Sequence, residues 1–110
     1  MQRVSLALAA MTALAVSAAL AVSAFAATKT VAVKDNVFAP KNITVKKGST
    51  MKWVWKGSAQ HDVTVTSGPA KFHSATQTKG SFSKKLTKKG TYRLVCTVHA
   101  PSMSMKIKVR

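Results

Sequence analysis

Apolar and polar residues alternate with a period of two through most of the chain after residue 27. Because successive side chains of a β-strand point to opposite faces of a sheet, this alternation predicts strands with one buried face. From residue 51 to 55, for example, Met51, Trp53 and Trp55 alternate with Lys52 and Val54. The pattern recurs at Val31 and Val33, at Ile43 and Val45, at Val63 and Val65, at Phe82 and Leu86, at Tyr92 and Leu94, and at Met105, Ile107 and Val109.

Short turn segments rich in glycine, serine, proline and lysine separate these strands, at residues 46–49, 67–69 and 88–90. Residues 70–80 have little periodicity and are expected to form a long loop, and no stretch after residue 27 has helical periodicity. Many short strands joined by turns predict an all-β fold, an antiparallel sandwich or barrel.

The N-terminal segment has a different composition. Arg3 precedes an uncharged run rich in alanine, leucine and valine, and Ala24 and Ala26 place small residues where a signal peptidase acts. This pattern predicts a secretory signal at residues 1–26 and a mature domain at residues 27–110, exported to the periplasm, cell envelope or extracellular space. The alternative is a retained N-terminal anchor, since the run is long enough to span a bilayer.

The charge of the chain is strongly positive. Its 18 Lys and Arg residues outnumber two acidic residues, Asp35 and Asp62, and the formal net charge is +16 at pH 7. Such a field attracts anionic partners and surfaces and weakens with salt. No nucleic acid is expected, because the lysines alternate along strands and no nucleic-acid motif is present. We expect electrostatic contact with an anionic cell envelope.

Cys96 is the single cysteine. Export would permit disulfides, but Cys96 has no partner within the chain, so it is a buried thiol, an intermolecular bridge or a metal ligand. His99 and Met103 follow it closely, and His61 and Cys96 both fall in phase with the inward-facing residues of their predicted strands. His61 is expected to begin its strand and Cys96 to end its strand.

Two histidines, one cysteine and one methionine are the ligands of a blue-copper site, in which the methionine is a weak axial ligand. A structural zinc site favours Cys and His without Met, and a Cys–His nucleophile would need a third, orienting group. The sequence therefore predicts a site for one copper ion, cycling between Cu(I) and Cu(II), at His61, Cys96, His99 and Met103. Met105, in phase with Ile107, is expected in the core.

His73 lies in the irregular segment and is expected at the surface, with a second metal contact as the alternative. Trp53 and Trp55 are expected to pack in the core and the sheet.

The mature domain as a whole resembles the cupredoxin family, the plastocyanin, amicyanin and pseudoazurin group. The resemblance implies a Greek-key β-sandwich of seven to eight strands and an electron carrier that is not an enzyme. It also implies a redox partner protein, here expected to be acidic, and a monomer. The matching motifs are Phe38-Ala39-Pro40, Ile43 to Gly48, Trp53-Val54-Trp55, His61-Asp62-Val63, Gly68-Pro69 with Phe72, Phe82-Ser83, Gly90-Thr91-Tyr92 and Cys96-x-x-His99-x-x-x-Met103.

By the same resemblance, Cys96 and the two histidines form the equatorial plane, Met103 tunes the reduction potential, and electrons enter and leave through His99. Two positions depart from the family pattern. Asp62 stands where an asparagine or similar residue often hydrogen-bonds near the cysteine, and Met105 stands where a glycine is common. Two other functions stay open: a copper carrier or buffer without electron transfer, and a metal-free basic β-domain that binds anionic polymers.

Overall fold

A computed structural model describes residues 26–110, which form eight β-strands. The predicted signal at residues 1–26 lies, except for Ala26, outside the described residues. Within the described residues, no helix is long and apolar enough to cross a membrane. The strands are β1 (Thr28–Lys34), β2 (Val37–Ala39), β3 (Asn42–Val45), β4 (Thr50–Trp55), β5 (Thr64–Ser67), β6 (Ser81–Lys85), β7 (Gly90–Val95) and β8 (Ser104–Val109).

The strands form two four-stranded sheets, in the orders β2-β1-β4-β6 and β3-β8-β7-β5. This arrangement confirms the predicted all-β sandwich of seven to eight strands. The sheets are mixed instead of purely antiparallel, because β1 pairs with β4 and β3 pairs with β8 in parallel. Period-two alternation shows which face of a strand is buried, but it carries no information about the direction of a neighbouring strand.

The core lies between the two sheets and contains the residues that the alternation placed inward. Trp53 and Leu94 are fully buried, and Tyr92 is nearly so. Trp53 packs against Phe82 and Phe72 with ring centroids 5.7 and 6.0 Å apart. Burying such large apolar surfaces is the main stabilising term of a small domain.

The strand predicted to begin at His61 begins instead at Thr64. His61 forms an isolated bridge with Gln77, and both Asp62 and Val63 are buried. Alternation is lost here because Asp62 is buried as well, with its carboxylate bonded to Thr64 and Thr97, while the loop between β5 and β6 bonds to the backbone of His61 and Val63. Within it, Ser74 Oγ accepts a hydrogen bond from Val63 N at 2.9 Å.

Candidate metal centre

Three of the four predicted ligands meet at one end of the sandwich. His61, Cys96 and His99 each offer a donor atom, and these atoms lie within 4.8 Å of one another. Cys96 Sγ is 3.7 Å from His61 Nδ1 and 3.6 Å from His99 Nδ1. His61 and Cys96 are fully buried, whereas His99 is half-buried. The cluster is therefore closed on the core side and reaches the surface at His99.

Strand register brings the distant parts of the chain together. Val95, the last residue of β7, pairs with Thr64 at the start of β5 and with Ser104 at the start of β8. Cys96 continues the β7–β8 ladder, since its N–H donates to the carbonyl of Met103 at 3.0 Å. The residues just beyond these strand ends must therefore lie close to one another.

The loop from Cys96 to Met103 is folded by its own hydrogen bonds. His99 N donates to Cys96 O at 3.2 Å, and Met103 N donates to His99 O at 3.3 Å. Ser102 Oγ donates to the same His99 carbonyl at 2.9 Å. Pro101, with its fixed φ, further limits the loop.

The two methionines at this end of the sandwich have different surroundings. Met105 is buried, as its phase with Ile107 predicted, and its Sδ accepts a hydrogen bond from Trp53 Nε1 at 3.3 Å. Met103 is fully buried at the end of the loop that carries Cys96 and His99. The sulfur of Met105 is thus engaged in the core, which favours Met103 as the fourth ligand.

The backbone of His61 is fixed by contacts from two other segments. His61 and Gln77 exchange two backbone hydrogen bonds, each 3.0 Å long. Trp55 Nε1 donates to the His61 carbonyl at 3.2 Å. These contacts place His61 from outside its own segment, in contrast to the locally bonded loop.

Asp35 contacts the far side of the His61 ring, and sequence reasoning did not identify it. His61 Nε2 lies 3.0 Å from Asp35 Oδ1. The hydrogen bond with His61, then those from the N–H groups of Ala59 and Ser58, lower the pKa of Asp35 to about 2. An ionised carboxylate only accepts hydrogen bonds, so Nε2 is the donor in this contact, and Nδ1, the ring nitrogen nearer Cys96, is the atom available to a metal. No local motif marks Asp35, which is 26 residues from His61.

Gly57 makes room for Asp35. A Cβ atom at Gly57 would lie 2.1 Å from Asp35 Oδ1 and 2.9 Å from its backbone nitrogen. Any larger residue at position 57 would therefore push Asp35 away from its place against His61.

Asp62 links the segment that carries His61 to the loop that carries Cys96 and His99. It is buried, and it accepts hydrogen bonds from Thr97 N at 3.0 Å, from Thr64 Oγ1 at 2.9 Å and from the Thr97 hydroxyl. Thr97 directly follows Cys96, so Asp62 provides the hydrogen bond near the cysteine that the family resemblance implied. These bonds tie the residue after His61 to the residue after Cys96.

His73 lies outside this centre. It is exposed, and its Nδ1 is 3.1 Å from the Ser74 carbonyl. Among residues 26–110, the one group of His, Cys, Asp and Glu side chains able to hold a metal is His61, Cys96 and His99. The structure therefore gives no support to a second metal contact at His73.

The donor set matches copper. Two imidazole nitrogens and one thiol sulfur converge, with no carboxylate among them. The thioether of Met103 is buried at the end of the same loop. Soft sulfur donors suit Cu(I), while imidazole suits both oxidation states of copper.

Comparisons with known proteins agree with this chemistry. The family of copper binding proteins described as plastocyanin/azurin matches residues 26–110. A reduced Cu(I) form of an amicyanin variant at pH 4 is similar, with 26% identity and a TM-score of 0.67 over 76% of this chain and 82% of that chain. The Cu(I) form of another amicyanin variant has 28% identity and a TM-score of 0.67, with coverage of 76% and 82%.

A Cu-containing nitrite reductase from Thermus scotoductus SA-01 also matches, with 26% identity and a TM-score of 0.64. The match covers 74% of this chain but only 22% of that enzyme. No curated protein sequence matches the chain. With its all-β sandwich and its centre for one copper ion, the chain belongs to the plastocyanin/azurin family of copper-binding proteins.

Proposed function

We propose that this protein is a blue-copper electron carrier whose ligands are His61, Cys96, His99 and Met103. The observation that carries the proposal is the convergence of Cys96 Sγ with the Nδ1 atoms of both histidines. Copper, when bound there, supplies a one-electron couple between Cu(I) and Cu(II).

The protein's part is to hold its donor atoms in place and exclude water. His61, Cys96 and Met103 are fully buried. The backbone on both sides of the centre is hydrogen-bonded, so the donors have little freedom to rearrange. A site that changes little between two oxidation states keeps the barrier to electron transfer low.

His99 is the edge through which electrons would pass. Its ring is half-buried, and the neighbouring Val98 is 50% exposed. A partner that packs on this small apolar surface would approach the centre directly. The sheet faces around it are rich in lysine, which favours a partner with an acidic surface.

The visible spectrum of the copper-loaded protein tests the proposal. Adding Cu(II) to the purified mature domain should produce the intense thiolate-to-copper band of a blue-copper site. A colourless protein would overturn the electron-carrier proposal. If the band appears but Cu(I) is lost rapidly to chelators, a copper carrier or buffer would be the better description.

The ionic strength dependence of electron transfer tests the acidic partner. The rate with an acidic redox protein should fall as salt rises, because screening weakens long-range steering. A rate that does not change with salt would mean that the basic surface does not steer the partner.

We further propose that residues 1–26 are removed on export and that the domain of residues 27–110 acts outside the cytoplasm. We also propose that this domain is a monomeric electron carrier and not an enzyme. The mass of the exported protein checks the cleavage, since a retained anchor would leave the full chain. Its elution in size-exclusion chromatography checks the monomer.

A further inference from the structure

The outer face of the sheet β3-β8-β7-β5 carries a groove with a volume of about 320 Å³. Three cations line it, Lys41, Arg93 and Lys106, and no carboxylate does. Pro101 and Ser104 also line it, so the groove adjoins the loop that carries Cys96 and His99 without including those residues.

The positive charges in the groove oppose one another. Arg93 on β7 and Lys106 on β8 are directly opposite in the antiparallel register, and both are exposed. Like charges in this position destabilise a sheet. Lys106 N also donates to the carbonyl of Lys41 at 2.9 Å, which holds the backbone of Lys41, a third residue of the lining, beside the pair.

The chain has no carboxylate side chain to spare for these cations. Its two acidic residues are Asp35 and Asp62. Asp35 is held by His61 and the loop at residues 58–59, and Asp62 is held by Thr64 and Thr97. An anion that neutralises the groove must therefore come from another molecule.

The remaining lining suits an organic anion. Asn42, Thr66 and Ser104 offer neutral hydrogen-bonding groups, while Val95 and Pro101 offer apolar surface. The volume is at the lower end of the range of about 300–1,000 Å³ for small-molecule sites. The guanidinium of arginine can bind a carboxylate through two parallel hydrogen bonds.

We propose that this groove is a binding site for a small organic anion with two or more carboxylate groups. Opposed cations on neighbouring strands match a ligand whose carboxylates are separated by a short carbon chain. The site shares no residue with the metal centre, so it does not depend on the function proposed above.

Tricarballylate is a suitable probe, because it lacks the hydroxyl group that makes citrate a strong copper chelator. We would titrate it at low ionic strength into the ¹⁵N-labelled protein loaded with Cu(I), and repeat the titration without copper. Saturable amide shifts should cluster at Asn42, Arg93 and Lys106. The result should be the same in both forms, so a failure to load copper would leave this test intact.

Two double variants with the same loss of charge separate a site from general attraction. Arg93→Gln with Lys106→Gln removes the opposed pair, and Lys52→Gln with Lys85→Gln removes two exposed lysines from the outer face of the other sheet. Loss of charge-assisted contacts should weaken binding by at least about tenfold in the groove variant. The control variant should change by less than about twofold, since it alters only long-range attraction.

Thermal unfolding gives an independent readout. Tricarballylate should raise the Tm of the unaltered protein by binding its folded state, and it should not raise that of the groove variant. Without the anion, the groove variant should be at least as stable as the unaltered protein, because opposed like charges have been removed. A lower Tm without the anion would show that these residues serve stability.

Three other results would overturn the proposal. One is equal weakening of binding in both double variants, and a second is shifts that spread over the surface without saturating. The third is binding of a glutamate-rich peptide in the groove without binding of tricarballylate, which would indicate a protein partner instead.

Discussion

His61 and the loop from Cys96 to Met103 form the two halves of the metal centre, and they are anchored differently. The loop bonds to itself, through His99 N to Cys96 O and Met103 N to His99 O. His61 depends on distant residues: Gln77 and Trp55 fix its backbone, and Asp35 fixes its ring. Apart from the bonds of Thr97 to Asp62, the hydrogen bonds of the loop are therefore local, whereas the position of His61 exists only once the sandwich has formed.

This difference separates what the two halves can contribute. The loop brings sulfur and one imidazole together at little entropic cost, because few residues must be ordered. The His61 half links the centre to the core. The carboxylate of Asp35, which is outside the ligand set, acts on the ring of His61. Loss of the thiol in the loop should therefore remove the centre, while changes around His61 should tune it.

The largest effect on the metal centre is expected from removing the sulfur of Cys96 in the loop. Cys96→Ser should abolish the visible thiolate-to-copper band, because a hydroxyl group cannot provide the thiolate donor. The variant should stay folded, since serine is similar in size and the surrounding sheet is unchanged. Absorption spectroscopy after addition of Cu(II) measures this, with circular dichroism as the check on folding.

His73→Gln is the matched control for that prediction. It removes an exposed histidine outside the centre. An unchanged band in Cys96→Ser, or a lost band in His73→Gln, would mean that the ligands are not those proposed.

A smaller effect is expected from altering the support of His61. Asp35→Asn keeps the shape of the side chain but removes its charge. We expect Cu(II) binding to weaken by about 10–100-fold, the usual range when a group that orients a ligand is changed. The reduction potential should rise, because a nearby negative charge favours the more oxidised ion. Competition with chelators and voltammetry measure the two quantities.

Asp62→Asn is the charge-matched control for the Asp35 variant, since it also replaces a carboxylate near the centre by an amide. Its amide oxygen can still accept the Thr97 N–H bond, so the loop should keep its position. The ring of His61 should keep its contact with Asp35. If Asp35→Asn leaves both affinity and potential unchanged, the ring of His61 is fixed by its backbone alone.

Gly57→Ala should reproduce part of the Asp35 effect without changing any charge. The added Cβ would lie 2.1 Å from Asp35 Oδ1, so the carboxylate must move. We expect a free energy of unfolding lower by about 1–3 kcal/mol, as for other overpacked sites, together with weaker Cu(II) binding. Urea titration and chelator competition measure these changes.

The double variant Gly57→Ala with Asp35→Ala sharpens that prediction. Removing the carboxylate relieves the closest contact, so the two changes should not add. Additive losses would show that the clash with the Asp35 backbone nitrogen dominates.

The smallest effect on the centre is expected at Met105. Met105→Leu removes the acceptor of the Trp53 indole N–H and should lower the free energy of unfolding by about 1–3 kcal/mol. The visible spectrum should not change. Met103→Leu should do the opposite, altering the reduction potential and spectrum at similar stability. If the two variants exchanged these effects, Met105 would be the axial ligand.

Much of the fold could be predicted from the sequence, because the inward face of a strand is encoded in neighbouring residues. Val31, Trp53 and Ile107 are buried as their alternation predicted. The start of β5 was predicted three residues too early, since His61 and Val63 bond to the loop between β5 and β6 and Asp62 is buried against Thr97. A cover supplied by a distant segment leaves no period-two pattern.

The sequence by itself determined the strand faces, the order of the donor groups and the local loop from Cys96 to Met103. Donor chemistry is a property of residue type, and residues a few positions apart in a tight loop must be near one another. Only the tertiary structure decided the parallel pairing of β1 with β4, the contact of Asp35 with His61 and the basic groove across β7 and β8. Each of these joins residues far apart in the chain, and their proximity follows from strand order and register.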